Sequence, residues 1–140
     1  MLRIIAIGAI MFNLFKRKKW NCDISCSFRD QEKRARAHAG SNTQILAENL
    51  KKLAKKFYDK NPIEALEAMQ ESFSLVVDIS KLKWIGFKLN ELGFIHESYR
   101  MLSLIPIAEF RSASEIKTYK LISNFVKNEV LNKKLDLNNI

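Results

Sequence analysis

A chain of 140 residues with only four glycines and two prolines has few places to reverse direction. An all-β protein would need a turn about every 8–12 residues, and glycine and proline supply most of those turns. The scarcity therefore selects long, regular segments. Leu, Ile, Lys, Glu and Ala are abundant, and most of them are good helix formers. With 47% apolar residues the chain can also bury a core. The expectation is one all-α domain.

Helix starts and stops can be read along the chain. Ser27, with Asp30 three residues on, predicts a helix from Phe28 to Ala39 that stops at Gly40. That helix has almost no apolar stripe, so it reads as solvated. From Ser41–Thr43 onward the pattern changes, and Leu46, Leu50, Leu53 and Phe57 recur at helical spacing. Asn61-Pro62-Ile63-Glu64 opens a helix to about Val77 expected to bury Leu66, Met69, Phe73 and Val76 or Val77. Asp78 or Ser80 caps the next, which ends at Gly93. A fourth carries Tyr99, Leu102 and Ile105 and ends near Pro106, and Ser112 with Glu115 forms a capping box for the last. This predicts a basic extension over 1–42, a helical domain over 43–130 whose core begins at Leu46, and a frayed tail over 131–140.

Charge is unevenly spread. Residues 1–60 hold fourteen bases against five acids, whereas 61–112 hold five against seven. The basic candidates for an anionic partner are Lys16, Arg17, Lys18 and Lys19, and then Lys51, Lys52, Lys55 and Lys56. An apolar run over 4–15 precedes the first group. It is shorter than the roughly 17–20 residues that span a bilayer, and its bases follow it rather than precede it, unlike a secretory signal. Two readings stay open: a terminus free or bound to a partner, and a peripheral membrane contact through residues 2–20. The expected location is cytoplasmic, with membrane association through the N-terminus as the variant.

Chemistry-bearing constellations are sparse. Cys22 and Cys26 form one C-x3-C hook without a second, so no metal is expected and the thiols are expected to be reduced. His38 and His96 stand on separate segments. Glu64, Glu67 and Glu71 share a helix face and read as a solvated acidic stripe. No phosphate-binding, nucleotide-binding or nucleophile motif occurs. The chain reads as non-catalytic and without a cofactor.

One segment carries a resemblance. From Ile79 to Ser112, two short helices place Leu82, Ile85, Gly86 and Leu89 on the first, Gly93 at the bend, and Ser98 and Leu102 on the second. Small residues at Gly86 and Ser98 let two helices approach closely. The order resembles a tetratricopeptide repeat, W-x2-L-G-x2-Y followed by A-x3-F, with Leu82, Leu89 and Ser98 replacing its tryptophan, tyrosine and alanine. Ala65-x3-Met69 repeats the second half thirty-three residues earlier, but the same step puts Lys52 and Lys56 where that family is apolar. The resemblance implies antiparallel hairpins stacked as a short bundle that binds a protein partner. The alternative from the residues alone is a nucleic-acid accessory protein using the basic segment 16–60.

Overall fold

Four of the helices begin at a side chain that accepts from a free amide of the first turn, and one begins at a proline, which has no amide hydrogen to satisfy. In the computed structural model, which describes residues 19–138, Ser27 Oγ accepts from Asp30 N at 3.1 Å and opens α1 (Phe28–Ala39). Asn42 Oδ1 does the same from Ile45 N at 3.1 Å for α2 (Thr43–Phe57). Pro62 starts α3 (Pro62–Leu75), and Asp78 Oδ1 accepts from Ser80 N at 2.9 Å at the head of α4 (Ile79–Glu91). Gly93, with φ +89°, makes the left-handed bend into α5 (Ile95–Leu102). After a 3-10 turn (Ile107–Glu109), Glu115 N donates to Ser112 Oγ at 3.1 Å and α6 runs from Ala113 to Asn138. Residues 1–18, with the apolar run 4–15 and Lys16, Arg17 and Lys18, lie outside the described residues.

The described residues are all-α, and each helix packs chiefly on its neighbours in sequence. Short connections make those neighbours antiparallel. The tightest pairs are α2 with α3 and α4 with α5. Two apolar clusters hold the bundle. The first joins Leu50, Leu53, Ala54 and Phe57 of α2 to Ala65, Leu66 and Met69 of α3 and to Ile85 and Leu89 of α4. The second joins Leu82 of α4 to Leu102, Ile105, Phe110 and Ile122. Each large side chain buried in this way contributes about 1.5–3 kcal/mol. Because α4 sends side chains into both clusters, it is the shared wall of the molecule.

Three sequence expectations are corrected. The core does not begin at Leu46: Trp20, Phe28 and Ala35 belong to the first cluster, and the Phe28 ring meets Phe57 edge-on with centroids 5.6 Å apart. A cut between residues 42 and 43 would separate α1 from α2, which pack on each other. α1 escapes a periodicity test because much of what it buries is small or polar, namely Gln31, Ala35 and Ala39 beside Phe28. The second correction is at the other end. α6 continues as helix to Asn138, although Leu131–Leu137 are all exposed. The third concerns register in the first hairpin, and it bears on the site.

Candidate interaction site

The two hairpins bury the same pattern. In the second, Leu82, Ile85, Gly86 and Leu89 face Ser98, Leu102 and Ile105; in the first, Leu50, Leu53, Ala54 and Phe57 face Ala65, Met69 and Ser72. Ala65 follows Phe57 at i+8, and Ser98 follows Leu89 at i+9. A uniform step of thirty-three residues therefore lands on Lys52 and Lys56, which are partly or fully exposed, and misses the apolar residues two positions earlier or one later. Ala54 takes the place of Gly86 as the small residue between the large ones.

Every one of the seven packing residues named from sequence falls in the second hairpin, and all but Gly93 are buried. A Cβ on Gly86 would stand 2.5 Å from Leu102 Cδ2, so the two helices meet there without room for a methyl group. Ser98 Oγ donates to the Gly86 carbonyl at 2.6 Å, which satisfies a buried hydroxyl and ties α5 to α4. Ser72 Oγ bonds the Ala47 carbonyl at 2.6 Å in the first hairpin. Gly93 is exposed and serves the bend rather than the contact.

The candidate basic residues divide. Lys19 is exposed at the start of the described chain. Lys52 Nζ donates to the Trp20 carbonyl at 3.4 Å, and the charge of Lys56 acts on Cys22. Lys51 lies within reach of the charges of Asp78 and Lys81. Lys55 is exposed. Lys60, outside the candidate set, donates to the Ile24 carbonyl at 2.7 Å. Part of the basic face thus holds the 20–24 segment against α2.

Buried polar residues escaped the sequence reading. Lys81 is only 3% exposed, and its Nζ donates to the carbonyls of Val76 at 2.9 Å and Ser72 at 3.3 Å. It thereby caps the end of α3, and desolvation pulls its pKa below the ordinary lysine value. Asn49 Nδ2 donates to the Ala35 carbonyl at 2.9 Å and lies 3.0 Å from His38 Nδ1. Gln31 Oε1 accepts from Asp23 N at 2.9 Å. Spacing gives no signal for these residues, because each partner lies on another element or in the segment before its helix.

Several of the remaining titratable groups are paired. Arg36 grips Glu71 with both guanidinium nitrogens at 2.8 Å and reaches Glu32 at 3.1 Å. The Arg36 hydrogen bonds hold the Glu71 carboxyl below its usual pKa. Glu64 and Glu67 line a small open cleft beside them, of about 100 Å³, with Phe28 and Arg29 opposite. His96 Nε2 meets Glu129 at 2.7 Å, joining α5 to α6. Tyr58 donates to Glu91 at 3.0 Å, and burial followed by that carboxylate pushes its phenol up to about 12. Cys22 and Cys26 are free thiols, and burial raises Cys22. Among the described residues no three His, Cys, Asp or Glu side chains are grouped to hold a metal ion, and no helix is long and apolar enough to cross a membrane.

Large apolar side chains do reach the surface: Val77, Leu104 and Ile107 in the connections, and a group along α6. Leu121 is 62% exposed on α6, Phe125 50% and Leu135 51%, while Val130 and Leu137 are exposed on the other side of the same helix. Comparison with known proteins finds no family model, no curated protein and no solved structure that matches this chain.

Proposed function

We propose that the chain is a non-catalytic protein-interaction module, a short tetratricopeptide-like scaffold of stacked helical hairpins that holds a protein partner. The observation that carries this reading is the repeated seam. Leu50, Leu53, Ala54 and Phe57 recur as Leu82, Ile85, Gly86 and Leu89, each set closed by a second helix with a small residue at its contact. A stack of such units presents side chains from successive helices along one extended surface, and helical repeats use such surfaces to bind. The exposed apolar residues of α6 extend that offer, since concentrated surface hydrophobes mark interaction sites.

The test is saturable capture. The intact chain, immobilised, should retain a defined protein from its native host, and excess free chain should compete it away. The captured protein, purified, should bind with a measurable Kd. The rival is duplex binding through residues 16–60, whose affinity would fall steeply with salt. Micromolar or tighter duplex binding at physiological salt, abolished by replacing Lys51, Lys52, Lys55 and Lys56 with Gln, would overturn the reading.

A further inference from the structure

Three of the exposed apolar residues of α6 lie on one face with a charged border. Leu121, Phe125 and Leu135 fall on one face of the helix at i, i+4 and i+14, with Asn128 and Asn132 between them at i+7 and i+11. Lys120, Lys127 and Lys134 recur every seven residues along one edge of it, all exposed. The opposite edge lies toward the body of the protein, where Glu115 pairs with Lys83 at 2.8 Å and Glu129 with His96. Asp136 is an exposed acid on that edge, and Lys117 and Lys133 are exposed beside the face, so the lysines predominate in the charge offered to a newcomer.

We propose that this face of α6 docks an amphipathic helix of a partner protein whose apolar stripe is bordered by Glu and Asp. The proposal rests on the interaction-module reading and names the chemistry of the partner. Electrostatic complementarity selects it over two other occupants. In an antiparallel pair made with a second copy, like edges of the two helices face each other, so the lysine row would meet itself. A parallel pair would bring that row to the edge where Glu115 and Glu129 are already engaged by their own chain, leaving Asp136 as the exposed acid to meet three lysines. The chain's own apolar run, residues 4–15, belongs to a segment with Arg3 and Lys16–Lys19 and no acid before Asp23, so it too would add positive charge to positive.

The probe is a fluorescent helical peptide three heptads long, with Leu at its a and d positions and Glu at both flanks, so that it repels itself and stays monomeric. Its twin carries Lys in place of Glu. The full chain should bind the Glu peptide with an affinity that falls as salt rises, and should bind the Lys peptide at least about tenfold more weakly. Leu121→Ser with Phe125→Ser should abolish binding while the chain still melts cooperatively, because half or more of each side chain is exposed. Lys120→Glu, Lys127→Glu and Lys134→Glu together should invert the preference toward the Lys peptide. Equal binding of both peptides, or none, would overturn the proposal. So would sedimentation showing a dimer that Leu121→Ser with Phe125→Ser dissociates, or displacement of the probe by a peptide of residues 4–19. If the Glu peptide fails while the chain still captures a host protein, only this surface is lost; if capture fails as well, the interaction reading is lost with it.

Discussion

Replacing Gly86 by Ala tests the close approach of α4 and α5 at a single atom. The added methyl carbon would sit 2.5 Å from Leu102 Cδ2 and 2.6 Å from Cγ. Ordinary carbon contacts lie at about 3.5–4.0 Å, so the new atom intrudes by roughly an ångström. Leu102 is 0% exposed and cannot swing into solvent. Overpacking of this kind costs about 1–3 kcal/mol, while Ala gains about 1 kcal/mol over Gly in a helix interior. The net expectation is a loss of about 0–2 kcal/mol. Leu102→Ala removes the obstacle at its own cost of about 2–5 kcal/mol. In that background Gly86→Ala should turn favourable by about 1 kcal/mol, which makes the two sites couple by about 1–3 kcal/mol. Urea denaturation of the four proteins measures the coupling directly. Gly93→Ala is the control. Its φ of +89° makes the substitution costly through the backbone, and no atom lies within 4 Å of the new Cβ, so its effect should be the same in both backgrounds. If Gly86→Ala has the same effect with and without Leu102, the close-contact argument is refuted.

Three further outcomes are expected. Trp20→Ala should cost about 3–5 kcal/mol in denaturant melts, because its ring is part of the first core cluster; a cost near zero would return the start of the core to Leu46. Lys81→Met keeps the stem but removes both hydrogen bonds to the end of α3, and leaving those carbonyls unpaired should cost about 1–3 kcal/mol, with faster amide exchange around Ser72–Val76 as the local sign. Glu71 has a depressed pKa in the folded state, so its pairing stabilises fully above the ordinary carboxylate value of about 4.3 and is lost as pH falls through the lower folded value. Both partners are substantially solvated, so the effect should stay below about 1 kcal/mol, and Glu71→Gln should flatten the acid limb of the stability curve.

The sequence by itself determined the helical class and most helix boundaries. Ser27, Asp78 and Ser112 mark starts, Gly40 and Gly93 mark stops, and each acts on amides or dihedrals within a few residues of itself. The second hairpin was legible for the same reason, since Leu82, Ile85, Gly86 and Leu89 lie on one helix at a recognisable period. Only the tertiary structure decided where the core begins, because Ala35 and Gln31 are buried by what packs on them and not by their own hydrophobicity. It also decided the register of the first hairpin, where a connection one residue shorter moves the contacts from Lys52 and Lys56 to Leu50, Leu53, Ala54 and Phe57. Lys81 shows the limit most clearly. A lysine beside an apolar stripe reads as surface charge, and it becomes a buried cap only when the carbonyls of α3 are brought to it. Local chemistry writes helices into a sequence; which faces lose water depends on partners distant in the chain, and periodicity along one helix does not contain them.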